Sequence, residues 1–168
     1  AGFILVGLIA FDRSGVSAVT FYVAAYGFAT IAAFGLVMLV RSGGSEATHL
    51  GQWAGLGKQS PVVAGAMAVL LLAFAGIPLT SGFTAKFAVF AAAVGHAGAA
   101  GAVLAVIGVL CSAITAFVYF RIVVLMFFSE RTDDSVGVLN PSVGTSAAIG
   151  LGVLATVLLG VVPAPLLA

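Results

Sequence analysis

The sequence predicts an all-α, polytopic transmembrane helix bundle with one discontinuous helix, and three observations carry that prediction. Hydrophobic residues make up 62% of the chain and charged residues 7%, with a mean hydropathy of +1.30, whereas about a quarter of an ordinary soluble domain is charged. Apolar runs alternate with short polar stretches, and several runs reach the roughly 20 residues that one bilayer crossing needs. One run is broken between Gly76 and Phe87, and Lys86 stands about one turn past the break.

The 168 residues leave room for about five or six crossings and therefore for a single membrane domain, 1–168. Ala1 stands directly inside an apolar run, with no initiator Met and no basic n-region, so the sequence reads as a fragment of a longer chain and not as a signal peptide. Residues 1–11 are expected to be the end of a helix whose start lies upstream, closed by the loop chemistry of Asp12, Arg13, Ser14 and Gly15. The first whole crossing is 17–41, with Tyr22 and Tyr26 one turn apart and Arg41 at its end, where a cation suits both the helix dipole and the interface. Residues 41–60 are too polar to cross. They hold Leu50, Trp53 and Leu56 at helical spacing, which predicts a short interfacial helix with Trp53 at headgroup level.

Pro61 opens the next helix where its missing N–H costs nothing. That helix runs over 61–77 and resumes over 83–95, and the second piece is short for independent spanning, so the two read as one interrupted crossing. A turn at 96–101 leads to a long helix over 102–128. The polar loop 129–143 collects Glu130, Arg131, Asp133, Asp134 and Pro141, and the last span, 145–162, is stopped by Pro163 and Pro165.

Charge placement sets the expected topology. Arg41, Lys58, Arg121 and Arg131 belong to the side of loops 41–60 and 129–143, and only Arg13 to the other. The positive-inside rule places both loops in the cytoplasm, or in the matrix of a mitochondrion, and it agrees with an alternation in which the broken segment is one crossing. The net charge of +1, with Lys and Arg dispersed, excludes a nucleic-acid-binding face. The single Cys111 can form no intramolecular disulfide and reads as a small packing residue. Small residues recur every four positions at Gly144, Ala148, Gly152, Thr156 and Gly160, and again at Gly108, Ser112 and Ala116, as expected of helix faces that approach closely in lipid.

The chemistry concentrates at the break. Pro78 lacks an N–H, Gly76 and Gly82 permit dihedrals that other residues resist, and Thr80, Ser81 and Thr84 offer hydroxyls to the freed backbone groups. Interrupted helices survive at membrane depth only where protein or a watery cavity covers them. A lysine's proton affinity is tuned by its surroundings, so Lys86 suits a group that binds and releases a proton; the structural alternative is a lysine that pairs with carbonyls at the break or snorkels to an interface. Arg121 could snorkel to the surface or join a polar path with Ser112, Thr115 and Tyr119, although hydroxyls in such helices commonly bond a carbonyl of the preceding turn. His96 falls in the outer turn. His49 and Glu46 lie one turn apart without a third ligand. No glycine-rich phosphate loop, paired cysteines or nucleophile elbow is present, so no metal, cofactor or redox centre is expected on this chain.

Leu70 to Phe90, which contains Gly-Ile-Pro-Leu-Thr-Ser-Gly-Phe at Gly76 to Phe83, resembles the antiporter-like membrane subunits of respiratory complex I. Ala1 to Ala10, Tyr26 to Phe34 and Tyr119 to Met126 are similar to other parts of the same family, and within it the likeness is to the subunit-N branch, the counterpart of mitochondrial subunit 2. Multisubunit sodium/proton antiporters share related versions of the central block. The resemblance implies a fold of two inverted repeats, each with one broken helix, of which this chain supplies mostly the second and C-terminal one. It further implies that Lys86 is the proton-binding group of an exit half-channel in a proton-pumping NADH:quinone oxidoreductase. NADH, FMN, iron–sulfur clusters and quinone are then expected on partner subunits, other membrane-arm subunits as partners, the bilayer as solvent, protons as cargo, and a bacterial plasma membrane as location. A sodium/proton antiporter subunit and a purely structural membrane-arm subunit are the alternatives.

Overall fold

Asp12, expected in a turn, instead begins a helix. Its Oδ1 accepts the Gly15 N–H at 2.9 Å and its Oδ2 accepts the Ser14 hydroxyl at 2.7 Å, which satisfies a donor that the first helical turn leaves without a partner. The computed structural model describes residues 2–10, 12–131 and 136–163. Among the expected landmarks, Ala1, Phe11, Asp133, Asp134 and Pro165 lie outside those residues.

Helix α1 covers Gly2–Leu8 and α2 covers Arg13–Leu39, four residues earlier than the apolar pattern alone indicated because Asp12 is a cap. The chain then makes two short strands, β1 (Val40–Ser42) and β2 (Ser45–Glu46), a 3-10 turn at Leu50–Trp53 and a short helix, α3 (Leu56–Gln59). Helices α4 (Pro61–Ala75) and α5 (Ser81–His96) flank the break. Helix α6 runs over Gly98–Phe128, starting inside the expected turn, and is followed by β3 (Val136–Val138) and α7 (Val143–Val161). Helices α2, α6 and α7 are each long and apolar enough to cross a membrane.

The strands qualify the all-helical expectation. They form one antiparallel sheet in the order β2-β1-β3, with Arg41 opposite Glu46 and Val40 opposite Val138. Strands of two or three residues carry no readable period, so the sheet leaves no trace in the pattern. It ties the two polar loops to the same end of the bundle, and Gln59 Nε2 strengthens the join by donating to Val136 O at 2.9 Å. Glu46 faces Arg41 across the strands at 3.8 Å. Trp53 is a correction: it is buried against the main core, with its indole N–H on Ala47 O at 3.3 Å, and is not a headgroup anchor.

At the opposite end, His96 in the last turn of α5 sits 3.1 Å from Asp12 Oδ2. Helix α4 thus starts beside the sheet and α5 ends beside the α1–α2 turn, so the two together traverse the bundle once. The Ser14 hydroxyl, the Gly15 N–H and to a lesser degree His96 hold the Asp12 carboxyl below its ordinary value. A depressed carboxyl contributes stability that is present above its unfolded value and lost as the pH falls through the folded one. Asp12→Ala is therefore expected to lower the thermal midpoint of the full-length subunit most at neutral pH, with the gap to wild type shrinking as the pH drops through and below the carboxylate range. A gap that widens on acidification contradicts this linkage.

Two apolar clusters fill the bundle. One lies at the sheet end around Leu36, Trp53, Leu56, Leu70 and Met126; the other lies toward the opposite end around Val6, Phe21, Ala85 and Val89. Helix α7 docks on α2 through Gly152, where a methyl group would lie 2.6 Å from Phe28 O and from Ala32 Cβ. Gly108 of α6 allows an equally close approach by the Phe90 ring. The stripe on α7 works from Gly152 to Gly160 only, since Gly144 meets nothing nearer than 4.0 Å. Cys111 corrects another expectation, for it is exposed on this chain and not packed.

Candidate functional site at the interrupted helix

Helix α4 stops because Gly76 turns left-handed, with φ 87°, and its N–H closes the last turn on Leu72 O and Ala73 O, both at 3.0 Å. The following residues, Ile77 to Thr80, cannot continue it. Pro78 supplies no N–H, Leu79 takes a positive φ of 72°, and Thr80 turns its hydroxyl to Ile77 O at 2.7 Å. Helix α5 restarts at Ser81, which is buried, and Gly82 lies directly against the carbonyl of Ala73. Thr84 reaches across to α7, donating to Gly160 O at 3.4 Å. Four of the six break residues therefore have distinct structural work, with Gly76 and Gly82 providing clearance and Thr80 and Thr84 providing donors.

Lys86 folds back from α5 toward the end of α4. Its Nζ donates to Phe74 O at 2.8 Å, Ala75 O at 3.1 Å and Ser112 Oγ at 2.7 Å, which accounts for all three ammonium protons. The two carbonyls are among those that a helix C-terminus leaves without partners, and that end of the helix dipole favours a cation. The Phe3 ring lies under the ammonium with its centroid 5.3 Å away. A methyl at Gly76 would stand 3.2 Å from Nζ, so the glycine serves both the left-handed turn and the seat of the lysine. Lys86 is 9% exposed, and among the described residues no carboxylate contacts it.

The polar candidates on α6 divide. Ser112 joins the site, accepting from Nζ and approaching Ala75 O at 3.4 Å, so its hydroxyl can accept from an ammonium or donate to an amine. Thr115 turns back on its own helix, to Cys111 O at 3.1 Å and Ser112 O at 2.9 Å. Tyr119 lines the cavity that opens beside Lys86. Arg121 is exposed, contacts no acid among the described residues and takes no part in the site. Phe3, the Phe74 and Ala75 carbonyls, Tyr22, Tyr26 and Thr30 belong to the site region without having been singled out as its members. Only the spacing of Tyr22 and Tyr26 gave a visible sign of this.

The cavity measures about 980 Å³ and is walled by α1, α2, the end of α4, the start of α5 and α6. Tyr22 and Tyr26 stack with ring centroids 5.9 Å apart, and Phe74 bridges Tyr26 to Tyr119 at 5.4 and 5.9 Å. An ammonium with saturated donors, a hydroxyl able to reverse its bond and an adjoining cavity can together hold, release and take back a proton.

The family model described as NADH:quinone oxidoreductase/Mrp antiporter, transmembrane, matches residues 1–115. NADH-quinone oxidoreductase subunit N of Rhodococcus opacus (strain B4) is 56% identical over 163 residues, covering 97% of this chain and 30% of that protein. The protein of the same name from Salinispora arenicola (strain CNS-205) is 56% identical over 167 residues, covering 99% and 32%. This chain thus spans about a third of the length of the curated relatives it matches. Among solved structures, respiratory complex I from Thermus thermophilus with bound aureothin contains a chain that matches with a TM-score of 0.78 and 25% identity, covering 98% of this chain and 36% of that one. The Mrp complex from Dietzia sp. DQ12-45-1b shares the fold, with a TM-score of 0.73 and 24% identity over 98% of this chain and 38% of the other.

Proposed function

The chain belongs to the NADH:quinone oxidoreductase/Mrp antiporter transmembrane family, and from that premise we propose that it is part of a proton-translocating membrane subunit of an NADH:quinone oxidoreductase. Its multi-pass helices carry no electrons in this reading. Redox chemistry takes place on partner subunits that hold NADH, FMN, iron–sulfur clusters and quinone, and its energy reaches this bundle as a change of conformation or field that alters proton occupancy at Lys86. Moving one charge across 100 mV takes about 2.3 kcal/mol, a small load beside two-electron redox chemistry.

The observation that carries the proposal is the seat of Lys86. The two carbonyls alone would fit a lysine that only caps the break, but such a lysine needs neither a reversible hydroxyl on its nitrogen nor an adjoining cavity, and Lys86 has both. Identity of 56% to relatives named subunit N favours the oxidoreductase over the Mrp-type sodium/proton antiporter, whose solved example shares the fold at 24% identity. The bacterial relatives support a bacterial plasma membrane, with loops 41–60 and 129–143 on the cytoplasmic side by the charge count. Other membrane-arm subunits are the proposed partners.

Lys86→Met in the full-length subunit, assembled with its partners and reconstituted in vesicles, is expected to lower the protons moved per NADH oxidised while the complex stays assembled. An unchanged ratio overturns the role of Lys86 and leaves a structural membrane-arm subunit. Inhibition by quinone-site ligands and co-purification with flavin and iron–sulfur subunits separate the oxidoreductase from an antiporter with no redox partner.

A further inference from the structure

Among the described threonines inside the helices, all but one find a partner for the hydroxyl, Thr84 on Gly160 O and Thr145 on the Ser142 hydroxyl. Thr20 bonds Val16 O at 2.8 Å, Thr115 bonds Cys111 O at 3.1 Å and Thr156 bonds Gly152 O at 2.8 Å, each returning its hydroxyl to the preceding turn. Thr30 in the middle of α2 does not. Its Oγ is buried and has no hydrogen-bond partner among the described residues, a state that native interiors seldom leave uncompensated. Its position gives the exception a meaning.

A second cavity, of about 350 Å³, adjoins the first. The two share Tyr26, Thr30, Phe74 and Tyr119 as common wall, and the second reaches Ala47, Leu50 and Trp53 at the sheet end. Polar side chains are distributed unevenly around Lys86. Toward the sheet, α2 and α6 present Tyr26, Thr30, Thr115 and Tyr119; toward the opposite end, Tyr22, packed in the cluster of Val6 and Phe21, joins the apolar Leu5, Ile9, Leu104 and Ile107. The phenol hydroxyls of Tyr26 and Tyr119 make no hydrogen bond to described residues, so they keep donor and acceptor capacity free on the same stretch of wall.

We propose that Thr30, with Tyr26 and Tyr119, connects Lys86 to the end of the bundle that carries the sheet, as a chain of hydroxyls bridged by water. The first cavity is roomy enough for several waters, and a water needs two or more polar partners to stay in place, which these hydroxyls and the lysine supply. The step balances: the ammonium gives one proton to the first water, each water or hydroxyl on the way takes one and passes on another, and one proton leaves at the far end of the bridge. The resulting amine accepts a hydrogen bond from the Ser112 hydroxyl, which keeps its own proton; uptake runs the same steps in reverse. Thr30 is a positioning residue in this scheme, since it orients the bridge and does not touch Nζ.

The inference rests on the reading of Lys86 as the proton-binding group, and its test separates the two. In the full-length, assembled and reconstituted complex, Thr30→Val removes the hydroxyl at nearly constant shape and Thr30→Ser keeps it. Protons moved per NADH oxidised should fall severalfold in Thr30→Val and in Tyr119→Phe, and stay close to wild type in Thr30→Ser. If Lys86→Met lowers the ratio and both Thr30→Val and Tyr119→Phe leave it whole, the hydroxyl bridge is rejected and the role of Lys86 stands. If all three leave it whole, the reading of Lys86 fails and the bridge falls with it. Equal losses in Thr30→Val and Thr30→Ser assign Thr30 to packing and overturn its place in the bridge. Should Thr30→Val fail to assemble, Tyr119→Phe decides.

Discussion

A single methyl group at Gly82 is expected to abolish assembly of the subunit. The Cβ of Gly82→Ala would fall on the carbonyl of Ala73, backbone against backbone, in the last turn of α4. Neither partner can rotate away. The two helices are joined by only the five residues Gly76 to Thr80, so α5 cannot translate freely, and that connector already contains a left-handed Leu79. Overpacking in a core that can adjust costs about 1–3 kcal/mol, and an obstacle made of backbone lies at or beyond the upper end. The displacement also reaches the site, because Lys86 lies one turn along α5 and its 2.8 Å bond to Phe74 O depends on the spacing of the two helix ends. Gly65→Ala is the control. Among the described residues nothing lies within 4 Å of a methyl there, and the exchange adds helix propensity of up to about 1 kcal/mol. Native gels and thermal midpoints of the full-length complex should show no incorporated subunit for Gly82→Ala and wild-type behaviour for Gly65→Ala. Normal incorporation of Gly82→Ala rejects the contact as a requirement of the fold.

That contact illustrates which parts of the molecule can be read from the chain. Gly76, Pro78 and Gly82 announce an interruption because each residue type alters the backbone locally, and the apolar runs announce helices because a bilayer leaves the backbone few other choices. The basic residues likewise mark two loops that the sheet does bring to one end. What stays hidden depends on how helices are rotated and paired. Lys86 bonds carbonyls 11 and 12 residues upstream, a reversal that no helical period encodes. Ser112, Thr115 and Tyr119 share a face by spacing, yet only Ser112 meets the ammonium, because the contact is decided by the azimuth at which α6 meets α4. Asp12 reads as loop chemistry until its hydrogen bond to the Gly15 N–H shows it to be a cap. Trp53 has the composition of an interfacial anchor and becomes core only because the sheet and α3 close over it. The absence of a partner for the Thr30 hydroxyl is likewise invisible, since most helical threonines return to their own backbone.

Gly160 on α7 extends the same logic to a contact between separate elements, and Gly160→Ala is the second substitution expected to have a large effect. A methyl there would meet the backbone of Leu79 and Thr80, the strained centre of the break. In lipid no hydrophobic drive holds α7 against its neighbours, so close backbone approach at Gly152 and Gly160 supplies much of the attraction. Pushing α7 outward removes that contact and breaks the Thr84 bond to Gly160 O. It also uncovers the break, whose freed polar groups survive at membrane depth only while covered. The damage should nevertheless be less than at Gly82. Helix α7 is largely exposed on its other faces and can tilt as a unit, whereas α5 is tied to α4 by the connector. The expected order is therefore no assembled subunit for Gly82→Ala, a lowered thermal midpoint for Gly160→Ala, and a wild-type midpoint for Gly150→Ala, since among the described residues a methyl at Gly150 meets nothing within 4 Å. If Gly160→Ala and Gly150→Ala behave alike, α7 is not the cover of the break, and the seat of Lys86 depends on α4, α5 and α6 alone.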